Sequence, residues 1–181
     1  MSPGRIVIVS GPPGAGKTTL ARRLASGADA PTAVHLHTDD FYAYIRKGFV
    51  EPWRPESQAQ NVTVMQAMAE SARAYALGGY ETVLDGIVGP WFLGPWLALA
   101  RADGLAVHYV ALRPDEETTV QRATSRAGHP MTDGETTRFM WRQLADLGAY
   151  EAHALDTSGM DVRAALAAVR AGIAAERFRL A

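Results

Sequence analysis

The chain has 181 residues, of which 48% are hydrophobic and 20% charged, with a net charge of −1 at pH 7 and no cysteine. This composition is typical of a globular domain rather than a disordered chain. The near-zero net charge gives no reason to expect binding to nucleic acid or to an anionic membrane. The lack of cysteine excludes disulfides, thiolate metal sites and a cysteine nucleophile.

Two further patterns are missing from the sequence: a signal peptide and an apolar run near the ~20 residues of a membrane span. We therefore expect a cytoplasmic protein with neither nucleic-acid nor membrane partners. The length predicts one domain over residues 1–181, acting as a monomer or a homodimer.

Strand-like and helix-like segments alternate along the chain. Short apolar runs predict five strands, at residues 5–10, 33–38, 81–85, 105–112 and 153–156. Helical periodicity predicts helices at residues 17–26, 57–77, 115–127, 135–147 and 161–178. The alternation predicts an α/β fold with a parallel sheet covered on both faces by helices. In such sheets ligands bind at the carboxyl ends of the strands.

The first strand is followed by Gly-Pro-Pro-Gly-Ala-Gly-Lys-Thr at residues 11–18, a complete G-x-x-x-x-G-K-[ST] phosphate-binding loop. Its glycines allow the backbone N–H groups to surround phosphate oxygens, Lys17 can reach the β- and γ-phosphates, and the Thr18 hydroxyl can ligate Mg²⁺. The following helix adds the positive end of its dipole. We predict that Lys17 is also catalytic, that Thr18 is the loop residue that binds Mg²⁺, and that ATP binds to Gly11, Pro12, Pro13, Gly14, Ala15, Gly16, Lys17, Thr18 and Thr19.

Carboxylates follow the next two predicted strands. Asp39 and Asp40 come after the second strand, and Asp85 ends the third. One carboxylate could accept the proton of an attacking hydroxyl, and another could hold Mg²⁺ together with Thr18. We predict Asp39 as the catalytic base, Asp39 and Asp85 as metal-linked, and all three as substrate contacts. Two alternatives stay open. Asp39 or Asp40 could instead be a helix N-cap, for which Asp40 is the better candidate, and Asp85 could be a turn residue.

Arginines and a small polar segment occur later in the chain. Arg122 and Arg126 lie four residues apart on a predicted helix, and a loop with glycines and a proline follows. This pattern predicts a lid at about residues 122–134 whose arginines neutralise the transferring phosphoryl group. The alternative is a solvated helix face paired with acidic residues. Nucleotide contacts are predicted for Arg122 and for Asp156, Thr157, Ser158 and Gly159. The alternative for residues 156–159 is a helix cap.

Two stretches mix aromatic and basic residues, at 42–60 and 86–96. Aromatic side chains beside basic ones at the strand ends would suit an acceptor site, so Arg46, Arg54 and Trp91 are candidate substrate contacts. His35, His37 and His108 alternate within strands and are expected to be structural, since no metal-ligand spacing is present.

These motifs together resemble the small P-loop kinases that phosphorylate nucleosides, nucleotides, sugar acids and antibiotics. Asp39-Asp-Phe-Tyr42 is similar to the uridine kinase and phosphoribulokinase branch, in which the aspartate is the base. Leu84-Asp85-Gly86 is more like the gluconate kinase and chloramphenicol phosphotransferase group. Residues 37–40 with Trp53-Arg-Pro resemble bacterial proteins labelled nucleotide or cytidylate kinases. The chain departs from nucleoside monophosphate kinases because it has no clear arginine set for an acceptor's phosphate.

The resemblance implies a P-loop NTPase fold, a three-layer α/β/α domain with a five-stranded parallel sheet. It also implies a helical acceptor region at about residues 40–78 and a lid after the fourth strand. We therefore predict an ATP-dependent phosphotransferase that moves the γ-phosphoryl group to a hydroxyl or phosphate of a small molecule. The alternative is a regulatory P-loop ATPase or nucleotide-binding protein without a small-molecule acceptor.

Overall fold

The computed structural model describes residues 3–125 and 133–180. Within these ranges five strands form one sheet in the order β2-β3-β1-β4-β5, and every neighbouring pair is parallel. The strands are β1 (Ile6–Ser10), β2 (Ala33–His37), β3 (Glu81–Asp85), β4 (Val107–Leu112) and β5 (Ala154–Leu155). The predicted five-stranded parallel sheet is confirmed.

Helices cover both faces of this sheet. The α-helices of the described ranges are α1 (Lys17–Ser26), α2 (Thr38–Ala43), α3 (Gln58–Leu77), α4 (Gly94–Asp103), α5 (Glu116–Thr124), α6 (Gly134–Gln143) and α7 (Val162–Ala174). Short 3₁₀ segments occur at Pro55–Ser57, Pro90–Phe92 and Gly148–His153. The predicted three-layer α/β/α architecture is confirmed.

The central strand β1 is buried on both faces, as its run of β-branched residues predicts. Because side chains alternate along a strand, Ile6 and Ile8 join one hydrophobic core while Val7 and Val9 join the other. The first core includes residues of α3 and α4, and the second includes residues of α1 and α7. Two layers of helices are therefore held to one sheet by separate apolar cores.

The strand order also determines where a ligand can bind. From β1 the sheet continues through β3 to β2 on one side and through β4 to β5 on the other. Such a reversal of strand order opens a crevice at the carboxyl ends of the strands. The pairing register aligns Val9 with Asp85 and His37 with Asp85, so the ends of β1, β2 and β3 lie at one level.

Several predicted boundaries differ from those observed. The second strand ends at His37 because Thr38 already begins α2, and α6 ends at Gln143, four residues before the predicted end. Helix α7 ends at Ala174, since the chain then turns through Glu176, which has a positive φ of 55°. The C-terminal part of the predicted helix at residues 115–127 lies partly outside the described residues. In the described ranges no helix is long and apolar enough to cross a membrane.

One glycine of α7 gives a test of the second core. A methyl group at Gly172 would lie 2.8 Å from Cδ2 of Phe178, a ring that is fully buried. Alanine is favoured over glycine inside a helix by about 1 kcal/mol, whereas overpacking a core costs about 1–3 kcal/mol. We expect Gly172→Ala to lower the free energy of unfolding by roughly 1 kcal/mol or more, measured by urea denaturation.

The matched control is Gly94→Ala in α4, where an added methyl would meet no atom within 4 Å. This variant should be as stable as the parent chain or slightly more stable. Equal stability changes in the two variants would contradict the packing described for Phe178.

Candidate active site

The phosphate-binding loop runs from the end of β1 to the start of α1. Gly14 and Gly16 have φ values of 84° and 88°, a left-handed region that glycine enters without strain. Gly16 is the N-cap of α1, and neither a side-chain cap nor an acidic residue in the first turn occupies the helix N-terminus. The first amide groups of α1 are therefore available to an anion, as the sequence predicts.

A small cavity of about 120 Å³ lies against this loop. It is lined by Pro13, Gly14, Gly16, Lys17, Thr18, His37, Asp39, Gly86, Ile87 and Ala123. The Lys17 ammonium donates a hydrogen bond to the Pro12 carbonyl at 2.9 Å. Lys17 and Asp39 both line this cavity, and the ammonium adds to the hydrogen bond from His37 in lowering the pKa of Asp39.

The carboxylate of Asp85 is the buried centre of a polar network beneath this cavity. Its Oδ2 accepts a hydrogen bond from Thr18 Oγ1 at 2.6 Å, and its Oδ1 lies 2.6 Å from His35 Nε2 and 3.1 Å from His37 Nδ1. Burial alone would raise the pKa of Asp85, but the hydrogen bonds from His35, His37 and Thr18 outweigh it and hold that pKa well below its usual range. Asp85 is therefore ionised.

His37 connects this buried carboxylate to Asp39. Its Nε2 lies 3.2 Å from Asp39 Oδ2, while its Nδ1 faces Asp85. The hydrogen bonds to Asp39 and Asp85 raise the pKa of His37 to about 10, and the bond to His37 lowers the pKa of Asp39. At neutral pH the chain thus holds an imidazolium between two carboxylates.

A second and larger cavity, of about 550 Å³, opens on the other side of Asp39. Its wall is largely aromatic and apolar and includes Trp53, Trp91, Phe92, Phe139 and Met140. Asp39 and Ile87 line both cavities. A carboxylate therefore stands at the boundary between a phosphate-binding loop and an aromatic cavity.

A third cavity lies on the outer side of the loop, where Gly14, Gly16 and Thr19 meet Arg122 and Thr157. The Arg122 guanidinium lies 3.4 Å from the Ser158 carbonyl. Thr157 is 3% exposed, and its hydroxyl is buried without a hydrogen-bond partner in the described part of the chain. A buried polar atom of this kind is a candidate for a ligand contact.

Residues 6–147 match the AAA_33 family model, which describes an AAA domain. The chain belongs to this AAA domain family. Among curated proteins, none matches the sequence.

Solved structures that resemble this chain over nearly its whole length include three kinases. A sugar kinase from Janibacter sp. HTCC2649 is 21% identical with a TM-score of 0.70, and 95% of each chain is covered. A gluconokinase from Sinorhizobium meliloti 1021 is 21% identical with a TM-score of 0.62, covering 96% of this chain and 93% of that one. Shikimate kinase from Acinetobacter baumannii, in complex with shikimate, is 19% identical with a TM-score of 0.64, covering 96% and 94%. The chain therefore has the same fold as these kinases.

The AAA_33 domain brings some of the predicted acceptor residues together and leaves others apart. Trp91 and Arg54 line the aromatic cavity together with Asp39. Asp40 and Arg46 are exposed and line neither this cavity nor the one at the loop, and Asp85 is buried and lines neither of them. Direct substrate contacts by Asp40, Arg46 and Asp85 are therefore not supported by the geometry. The N-cap of α2 is His37, and Asp40 lies in the first turn of that helix instead.

Of the predicted nucleotide and lid residues, some line a cavity and others do not. Thr157 and Arg122 lie at the third cavity, but Asp156 and Ser158 are engaged within the chain: Asp156 Oδ1 accepts from the Ser158 amide, and Ser158 Oγ accepts from the Asp115 amide. Gly159 does not line the cavity. Arg126, with most of the predicted lid, lies outside the described residues.

Sequence reasoning missed two parts of the site. His35 and His37, expected to be structural residues of the strand, join the network of Asp85 and Asp39. Their spacing of two residues put them on one face of β2, but only the pairing of β2 with β3 brings that face to Asp85. The second part is α6, whose Phe139, Met140 and Gln143 line the aromatic cavity. His108 is buried in β4, as expected of a structural residue.

The raised pKa of His37 predicts how stability changes with pH. A histidine whose folded-state pKa is raised contributes stability that is complete below pH 6.5, its unfolded value, and is lost as the pH rises through about 10. We expect the free energy of unfolding to fall between pH 6.5 and pH 10, and His37→Gln to reduce that fall by on the order of 1–2 kcal/mol. Urea denaturation at a series of pH values measures it.

The control for this prediction is His108→Gln. Burial lowers the pKa of His108, so this histidine changes stability below pH 6.5 and not in the window above it. His108→Gln should keep the slope of the parent chain. A parental slope in His37→Gln would show that His37 is not held by Asp39 and Asp85.

Proposed function

We propose that this protein is an ATP-dependent phosphotransferase that moves the γ-phosphoryl group to a hydroxyl of a small molecule. The observation that carries the proposal is the position of Asp39, which lines both the cavity at the phosphate-binding loop and the aromatic cavity. An acceptor in the aromatic cavity would then meet the phosphate chain at a carboxylate. The AAA_33 match and the kinase fold agree with this activity.

The loop residues supply the phosphate site in this proposal. The amide groups at the N-terminus of α1 and the Lys17 ammonium would bind the phosphate oxygens of ATP. Because phosphoryl transfer depends mainly on positioning and charge neutralisation, a site built from backbone and one lysine suits it. When bound, Mg²⁺-ATP supplies the γ-phosphoryl group and neutralises its charge.

The residues present fit Mg²⁺ held mainly by ATP and water. In the described ranges no cluster of three or more His, Asp or Glu side chains could hold a metal. Mg²⁺ prefers oxygen ligands and keeps several waters, with few protein ligands and the substrate phosphates. The Thr18 hydroxyl would be the protein ligand. Its proton is donated to Asp85, so its lone pairs remain for a cation.

Asp39 would orient the acceptor hydroxyl and take its proton. As the hydroxyl oxygen bonds to the γ-phosphorus, the bond to the ADP oxygen breaks and the proton passes to an Asp39 oxygen. The bond from His37 keeps Asp39 ionised and oriented, although its lowered pKa makes it a weak base. A weak base suffices where the leaving group departs early and the proton moves late.

Arg122 and Thr157 would bind the nucleoside part of ATP. Both line the cavity beyond the loop, and the unpartnered Thr157 hydroxyl could bond to a base. Arg122 would contact the nucleotide there rather than the acceptor. Neutralisation of the transferring group by Arg126, from the lid, stays a prediction.

Asp39→Asn tests the role of the carboxylate. The amide cannot accept the proton, so we expect kcat to fall roughly 10²–10⁴-fold, whereas the Kd for ATP should change little because the loop is intact. Acceptor-dependent ADP release measures kcat, and calorimetry measures ATP binding. Asp29→Asn, an exposed carboxylate at the opposite edge of the sheet, is the control and should keep parental activity.

Two results would contradict the proposal. Full transfer activity in Asp39→Asn would remove Asp39 from the role of base. ADP release that is independent of any acceptor would instead favour a regulatory ATPase.

Arg122→Gln tests the nucleotide side of the site. Loss of a charged hydrogen-bond donor should weaken ATP binding about 10-fold with a smaller change in kcat. Arg101→Gln, an exposed arginine in the last turn of α4, should bind ATP as the parent chain does. A fall in kcat with unchanged ATP affinity would instead assign Arg122 to the transferring phosphoryl group.

A further inference from the structure

We infer that the aromatic cavity takes an uncharged acceptor, a hydroxyl compound with a planar ring, rather than a sugar acid or a nucleotide. The inference rests on the proposed function, since it assumes that the acceptor occupies this cavity. It is carried by the aromatic wall, the charge of the lining and the hydrogen bonds already made there.

The aromatic wall is unusually exposed for side chains of its size. Trp53, Trp91 and Phe139 are 43%, 52% and 51% exposed, and all three line this one cavity. They come from different segments: the loop before the Pro55–Ser57 turn, the Pro90–Phe92 turn, and α6. Flat apolar surface converging on a catalytic carboxylate is suited to a planar ring, which covers it by stacking.

The charge of the lining disfavours an anion. Among the described residues that line the cavity, two are charged, Asp39 and Arg54. Arg54 Nε already lies 3.0 Å from Glu51 Oε2, in an exposed ion pair that offsets part of its charge within the chain. Within the described lining, a carboxylate or phosphate on the acceptor would enter beside ionised Asp39 and meet no cation other than the paired Arg54, and like charges at such a site repel.

The hydrogen bonds made within the cavity also favour an uncharged acceptor. Tyr42 donates to Asn61 Oδ1, and Asn61 Nδ2 donates to the Pro52 carbonyl and Ser57 Oγ. These groups are occupied with one another. The side-chain amides of Gln58 and Gln143, by contrast, make no hydrogen bond in the described part of the chain. A primary amide both donates and accepts, and therefore matches the polar edge of a neutral ring.

Matched pairs of probes test the charge preference. Thymidine is compared with thymidine 5′-monophosphate, and 4-nitrobenzyl alcohol with 4-nitrobenzoate, by calorimetry. Mg²⁺ and a non-hydrolysable ATP analogue are present so that the loop cannot take the probe's phosphate. We expect the neutral member of at least one pair to bind about 10-fold or more tightly than its anionic partner. Equal or tighter binding of the anion in both pairs, or binding of no neutral probe, overturns the inference.

Trp91→Ala tests where the neutral probe binds. Trp91 is half exposed, so its truncation should leave the fold intact, and loss of a stacking face should weaken binding about 10-fold. The control is Tyr75→Ala, a comparably exposed aromatic of α3 that packs on Tyr80 and does not line the cavity. Equal affinities in parent and Trp91→Ala would exclude the aromatic cavity as the binding site.

ADP release measured with the same probes and with gluconate separates this inference from the proposed function. Transfer to gluconate or to the nucleotide would leave the phosphotransferase standing and overturn the uncharged acceptor. Tight binding of a neutral probe, with ADP release that no acceptor stimulates, would support the cavity's specificity and overturn the transfer reaction.

Discussion

The site depends on one buried carboxylate, Asp85. An isolated ionised carboxylate in a protein interior is costly unless hydrogen bonds and opposite charge compensate it. Here Thr18, His35 and His37 provide that compensation, and they reach Asp85 from the first turn of α1 and from β2. The carboxylate therefore joins the phosphate-binding loop to the neighbouring strands. Through His37 it also orients Asp39, which lines both cavities.

The sheet topology explains why two unlike cavities meet at Asp39. The loop after β1 lies at the reversal of strand order, and backbone amides and Lys17 lie at the cavity beside it. Beyond it, α2, the Pro90–Phe92 turn and α6 enclose an aromatic cavity with little net charge. The polar cavity at the loop and the aromatic cavity are thus kept apart, and among the described residues Asp39 is the carboxylate that lines both.

Much of this arrangement could be predicted because its signals are local in the chain. The loop at residues 11–18 has its glycines at the positions where positive φ is needed, and Asp39 and Asp85 follow apolar strands at the expected edge. His35 and His37 were missed because a histidine in a strand has no local sign of its partner. Phe139 and Met140 of α6 were missed because they lie about a hundred residues from Asp39 in the sequence, and only the fold brings them to the same cavity.

The sequence by itself determined the α/β fold, the phosphate-binding loop and the strand ends at which carboxylates gather, because periodicity and turn chemistry act over short distances. Tertiary structure alone decided which carboxylate lines the cavities and which is buried. Asp85 ends one strand and Asp39 follows another, so their positions in the sequence are alike. In the fold, however, Asp85 lies under Thr18 and two histidines, while Asp39 faces both cavities. That distinction depends on strand order and register, which bring together residues far apart in the chain.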